Sequence, residues 1–215
     1  MSVKIKIYSD YVCPFCLLAE NPLEQAIHGK EVEVEWMPYE LRPSPQQTLR
    51  PEGDYLQSTW KQSVYPMAER MGVPMTLPRV SPQPYTHLAF EGYQYAKEKG
   101  KANEYNARMF RAFFQEERDI GDIEVLTELA GDIGLDQAAY KDALETGKYK
   151  EAHQKALEQA YRENITSVPT FVIGGTTVAG VRSKETLEQF INDEIEKQKS
   201  NRFPEGLSCG IDGCN

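Results

Sequence analysis

β-Strand patterning is concentrated at the two ends of this chain, and helical patterning fills the interval between them. "VKIKIYSD" (3–10) and "EVEVEWMPY" (31–39) alternate β-branched or aromatic residues with polar ones, the two-residue period of a half-buried strand. "PTFVIGGTTVAG" (169–180) holds two more short runs joined by Gly174-Gly175, which predicts a hairpin. Between the first two runs, "CPFCLLAENPLEQAI" (13–27) places Cys16, Leu17, Ala19, Leu23, Ala26 and Ile27 at helical spacing. Pro14 suits a first helical turn, and Pro22 predicts a kink or break inside the helix. Strand, helix and strand in so short a span predict a parallel, right-handed βαβ unit.

Beyond it, proline-rich loops around residues 43–51 and 73–85 alternate with helical patterns near 54–71, 85–99, 103–116, 122–133 and 136–163, the last interrupted near Gly147. In "NEYNARMFRAFF", Tyr105, Met109, Phe110, Phe113 and Phe114 make an apolar stripe that belongs in a core. Asp122 is placed as a helix N-cap. "SKETLEQFINDEIEKQ" (183–198) predicts a closing helix with Ser183 and Thr186 as capping oxygens. The order β-α-β, helices, then α-β-β-α predicts an α/β chain: a thioredoxin fold with an inserted all-helical domain. The expected division is 1–40 with 164–198 for the thioredoxin-like part, 41–163 for the insertion, and 199–215 for a C-terminal tail.

Composition narrows the function. Lys+Arg 24 against Asp+Glu 33 gives a net charge of −9, which argues against sequence-independent binding to nucleic acid or anionic lipid. No apolar run approaches a membrane span, and the start of the chain does not read as a signal peptide. The expected compartment is the cytoplasm, where thiols stay reduced. Cysteines there point to chemistry or metal binding rather than to a structural framework.

The chain has 4 cysteines, in two close pairs. Cys13 and Cys16 open the first helix, where free backbone N–H groups and the helix dipole favour a thiolate at Cys13. Cys16 lies one turn further in and is expected to be more buried. Cys13 is thus the candidate attacking thiol and Cys16 the resolving one, acting through a mixed disulfide. Pro14 and Phe15 between them bring no charge. Zinc sites share this cysteine spacing, but His28 is the only histidine close in sequence, and Cys209 with Cys214 would have to complete the ligand set. No metal and no organic cofactor are expected. In "TSVPTFVIGG", Pro169 stands at a strand start, an awkward place for a residue that cannot donate to a ladder. In a thioredoxin fold a cis-proline at that place packs beside the reactive pair, and the preceding residue, here Val168, offers backbone groups to an extended substrate.

These stretches resemble the DsbA family of thiol–disulfide oxidoreductases, in its cytoplasmic FrnE-like branch. The resemblance covers residues 3–198 and rests on "SDYVCPFC", "YELRP" (39–43), "RAFFQEERDIGDIEVLTELAGDIGLD" (111–136) and "SVPTFVIGGTTVAGVRS" (167–183). It implies that Cys13 and Cys16 are the redox-active pair, that Pro169 is the cis-proline, and that Val168, Pro169, Pro14 and Phe15 meet the substrate. Protein or small-thiol disulfides are the implied substrates, with glutathione or a thioredoxin-type reductant as partner. 2-Hydroxychromene-2-carboxylate isomerases and kappa-class glutathione transferases belong to the same superfamily but typically replace the first cysteine by serine. An isomerase or transferase, or a thiol-dependent chaperone or zinc module, is the competing expectation. The family's Asn-Ser/Thr pair is replaced here by Tyr85-Thr86, followed by His87, which reads as a partly buried histidine at a helix start. Cys209 and Cys214 resemble a terminal C-x4-C of some FrnE-like proteins, implying a second redox pair.

Overall fold

A computed structural model describes residues 2–202; Cys209 and Cys214 lie outside the described residues. Strand β1 (Val3–Ser9), helix α1 (Pro14–Ile27) and strand β2 (Val32–Pro38) form the expected unit. β1 and β2 run parallel, from Val3 opposite Val32 to Ser9 opposite Pro38. The hairpin of β3 (Thr170–Ile173) and β4 (Thr176–Ala179) adds antiparallel to β1, with Tyr8 opposite Thr170 and Ile5 opposite Ile173. Among the described residues the sheet order is β2-β1-β3-β4. The closing helix α9 spans Lys184–Arg202, and the Ser183 hydroxyl accepts from the Thr186 N–H.

Everything between β2 and β3 is helical or looped. α2 (Asp54–Thr59) passes through a π-helical stretch (Trp60–Val64) into α3 (Tyr65–Met71). There follow α4 (His87–Glu98), α5 (Ala102–Glu116), α6 (Ile123–Asp132), α7 (Gln137–Glu145) and α8 (Lys150–Arg162). The Asp122 carboxylate caps α6 by accepting from the Glu124 and Val125 N–H groups, and Asp136 caps α7 through Ala139. Of the kink or break expected at Pro22, the break does not occur, and α1 continues through it. A proline removes one backbone hydrogen bond and crowds the preceding turn, but Leu17, Leu18, Ala19, Leu23 and Ala26 are all buried around it. Burial on two faces outweighs that local cost.

α1 is buried against two distinct cores. Ala19, Leu23 and Ala26 join Ile5, Ile7, Phe171, Leu187 and Ile191 between the sheet and α9. Cys13, Cys16, Leu17 and Leu18 instead belong to the larger cluster built by the helical insertion. That cluster is strongly aromatic: Tyr105, Phe110, Phe113, Phe114 and Tyr140 are fully buried, which places the 105–114 stripe in a core as the sequence pattern predicts. Asn106 of α5 donates to the Glu20 carboxylate of α1 at 2.6 Å, a polar tie between the two parts.

α4 approaches α5 and α7 at Gly92. There the Tyr105 and Tyr140 hydroxyls share a buried 2.6 Å hydrogen bond, and Tyr105 also donates to the Ala89 carbonyl at 2.9 Å. A Cβ at residue 92 would stand 2.0 Å from the Tyr140 oxygen and 2.3 Å from that of Tyr105. Gly92→Ala gains helix propensity but must break this pair, so urea denaturation should show a net destabilisation of about 2 kcal/mol. Equal stability would mean that the tyrosine pair yields freely.

Candidate active site

β1 ends against the first turn of α1, and this junction builds the site. The Asp10 carbonyl accepts from the Cys13 N–H at 3.0 Å, and the Cys13 carbonyl from the Cys16 N–H at 3.0 Å. Cys13 is the N-cap of α1, with extended backbone and Pro14 in the first turn. Cys13 and Cys16 are both free thiols. The expected contrast in burial is slight, since Cys13 is 4% exposed and Cys16 2%. The helical insertion accounts for this by closing over Cys13 and leaving it at the wall of a pocket of about 260 Å³.

Leu41, Leu49, Tyr55, Leu56, Trp60 and Pro84 supply much of the apolar lining, and Pro14, Phe15 and Val168 complete it beside Cys13. The Val168–Pro169 bond is cis. The Cys13 thiol donates to the Val168 carbonyl at 3.8 Å, and the Pro169 carbonyl accepts from the Gly180 N–H at 2.7 Å. Residues 13–15 and 168 therefore converge as expected, with Pro169 buried behind Val168. His87 opens α4 but lines a different cavity, beside Tyr85. His28 follows the last residue of α1. A helix of that length separates it from Cys13 by about 20 Å, too far to share a metal ion.

One candidate site residue escaped sequence reasoning. Asp10, seen there only as the end of a strand, is 1% exposed and is the one carboxyl group lining the pocket among the described residues. Its Oδ2 accepts from the Leu41 N–H at 2.7 Å. Burial pushes its pKa up from 3.8 to about 7, although the Leu41 N–H and the Thr86 hydroxyl pull the other way. Burial also raises the Cys16 thiol, with the neighbouring Cys13 adding to the effect and the Ser9 hydroxyl and Asp10 N–H partly offsetting it. A carboxyl that burial lifts toward neutrality thus lines the same pocket as Cys13, while its own backbone reaches the Cys16 thiol. Its place three residues before the first cysteine of a C-x-x-C was the available signal.

The model of the DSBA-like thioredoxin domain family matches residues 4–192. The chain belongs to that family. A Bacillus subtilis relative, the uncharacterized protein YwbO, is 54% identical over 200 residues, which are 92% of this chain and 100% of that protein. Among solved structures, a Streptomyces coelicolor protein described as a DsbA oxidoreductase superposes with a TM-score of 0.76 at 23% identity, covering 99% of this chain and 98% of its own. The cytosolic disulfide reductase DsbM of Pseudomonas aeruginosa, solved with GSH, gives 0.65 at 18% identity over 93% and 100%. At these identities the structural likenesses speak to the fold, a thioredoxin-like sheet carrying a helical insertion.

The raised pKa of Asp10 makes a stability prediction. Below about pH 4 both folded and unfolded chains hold the proton; from there to about 7 only the folded chain does, and stability falls as pH rises. The interval from 3.8 to about 7 corresponds to at most about 4 kcal/mol. Urea denaturation should therefore find Asp10→Asn gaining on the parent chain as pH rises from about 4 to 8. A stability difference that stays flat with pH would contradict a buried, proton-holding Asp10.

Proposed function

We propose that this chain is a thiol–disulfide oxidoreductase acting through the Cys13-Pro14-Phe15-Cys16 centre. The observation that carries the reading is the Cys13 thiol at the N-cap of α1, facing a pocket and lying 3.8 Å from the Val168 carbonyl. The Cys13 thiolate attacks one sulfur of a substrate disulfide. A Cys13–substrate disulfide forms, the substrate's own S–S bond breaks, and the leaving thiolate takes up a proton. Cys16 then attacks the Cys13 sulfur and releases the substrate as a dithiol, leaving Cys13 and Cys16 oxidised. Asp10, whose backbone reaches the Cys16 thiol and whose carboxyl lines the pocket beside Cys13, is the proton acceptor for Cys16. A dithiol or two glutathione molecules return the pair to the reduced state, and the same steps in reverse oxidise or isomerise a substrate.

The pocket supports protein substrates as well as small thiols. Leu41 and Tyr55 line it while remaining 42% and 64% exposed, an apolar approach to Cys13 of the kind an extended peptide can cover. Val168 presents backbone groups beside the attacking sulfur, which supports strand-like pairing with such a peptide. The reading takes the compartment to be the cytoplasm, with glutathione or a thioredoxin-type dithiol as the partner. Among the described residues no helix is long and apolar enough to cross a membrane. Cys209 and Cys214 are proposed as a second pair that passes electrons to and from Cys13 and Cys16.

Cys13→Ser should abolish reduction of a model protein disulfide, lowering turnover at least about a hundredfold. Cys16→Ala should accumulate a Cys13–substrate mixed disulfide visible by mass spectrometry. Full turnover by Cys13→Ser would overturn the assignment. Glutathione-dependent turnover that survives loss of Cys16 would transfer it to the isomerase or transferase class. Replacing Cys209 and Cys214 together by alanine should slow multiple-turnover exchange but spare the first turnover; unchanged steady-state rates would remove the second pair from the cycle.

A further inference from the structure

A buried hydrogen-bonded pair outside the pocket bears on Asp10 from two sides. His153 of α8 is 2% exposed, and its Nε2 lies 2.7 Å from the Glu40 carboxylate. Glu40 immediately precedes Leu41, whose N–H is the hydrogen-bond donor to Asp10 Oδ2. On its other side the His153 ring stacks on Phe90 (centroids 5.6 Å apart, planes at 12°), and Phe90 stacks on Tyr11 at 4.5 Å. Tyr11 immediately follows Asp10. One histidine of the helical insertion therefore braces both the donor to Asp10 and the residue next to it in the chain. Among the described residues His153 Nδ1 has no hydrogen-bond partner, so the ring is held by the Nε2 contact with Glu40 and the stack on Phe90.

We propose that His153 and Glu40 are positioning residues for the exchange reaction: they hold the Leu41 N–H on Asp10 and thereby set the proton affinity of that carboxyl. The inference deepens the function proposed above and rests on Asp10 as the proton acceptor of Cys16. Residues 39–41 leave the sheet at the end of β2, and the Tyr39 N–H donates to the Ser9 carbonyl at 2.9 Å. The backbone is thus pinned on one side by β1 and on the other by α8 through Glu40. Without the His153 contact the Glu40 side chain is a buried carboxylate lacking that donor. Such a group moves toward water, carrying the 40–41 peptide and its N–H away from Asp10.

Several other groups face this assembly. Cys13 and Cys16 approach Asp10 from α1 through Asp10's own backbone. Tyr11 and Tyr39 feel the Asp10 charge, the Glu40 charge opposes its ionisation, and the Thr86 hydroxyl favours it. Glu91 of α4 is buried and held above the usual carboxylate range by desolvation, against the pull of His87, His153 and Lys150, with Glu40 adding to the rise.

The test is the titration of the Asp10 carboxyl, followed by carbon-13 NMR and assigned with Asp10→Asn. His153→Phe keeps an aromatic ring for Phe90 but removes the partner of Glu40. It should raise the proton affinity of Asp10 about tenfold, the equivalent of losing one hydrogen bond to a charged group. His153→Gln, which retains a donor, should stay within about threefold of the parent chain. Glu40→Gln keeps the hydrogen bond and removes a negative charge, so it should move Asp10 slightly in the opposite direction. These opposed signs separate positioning from general loosening. An Asp10 titration unchanged in His153→Phe overturns the proposal. If that variant loses its cooperative urea transition, His153→Leu replaces it with the same expected direction and the same overturning result. The rate of mixed-disulfide resolution against pH is measured alongside. If Asp10→Asn leaves that profile unaltered, the proton-acceptor role fails, while the carboxyl titration still decides whether His153 and Glu40 position Asp10.

Discussion

The first turn of α1 depends on being held by two cores at once. Its later residues, Ala19, Leu23 and Ala26, are packed against the sheet and α9. Cys13, Cys16, Leu17 and Leu18 are packed into the aromatic cluster of the insertion. Neither contact alone would leave the cysteine pair where it is. The sheet fixes the direction of α1 and the height of Cys13 at the end of β1, while the insertion supplies a lid of side chains that turns a helix terminus into a pocket. Close packing on both sides makes this position stiff, which suits a reaction that needs a sulfur aimed at a second sulfur from a fixed direction.

Charge follows from the same arrangement. Water is largely excluded where the two cores meet, so each ionisable group there carries a desolvation cost. Asp10 and Glu20 both sit at this boundary, and burial lifts them to about 7 and about 8, Glu20 also feeling Glu24. On the surface such carboxyls would be silent near neutral pH. Here they titrate in the range where thiols exchange, and the hydrogen bonds that reach them decide how far. The Asp10 ionisation is a liability for stability and, in the proposed reaction, an asset for proton transfer, the usual exchange at functional sites.

Much of the framework was legible in residue patterns. The alternation in 3–10 and 31–39, the Gly174-Gly175 turn and the caps at Asp122 and Ser183 are local signals. Each is satisfied by the element in which it sits. Of the kink or break expected at Pro22, the break fails because it weighs a local hydrogen bond without the packing on either side of α1. Asp10 was passed over for a related reason. An aspartate after a strand is an ordinary chain-reversal residue, and nothing within its own segment says that Leu41 and Thr86 will close over it. Trp60 and Tyr55 likewise read as helix residues, and only the fold brings them beside Cys13.

By itself the sequence determined the chemistry on offer: two cysteines a helical turn apart at the start of a helix, a proline before a distant hairpin, and a helical block between the two halves of a small sheet. These rest on short-range backbone preferences and on periodic burial, which a stretch of ten or twenty residues can encode. Tertiary structure alone decided the surroundings of that chemistry: the pocket wall over Cys13, the N–H of Leu41 on Asp10, and His153 behind Glu40. Those contacts join residues far apart in the chain. They depend on how two cores meet across one helix, a matter of packing and desolvation that no single segment records.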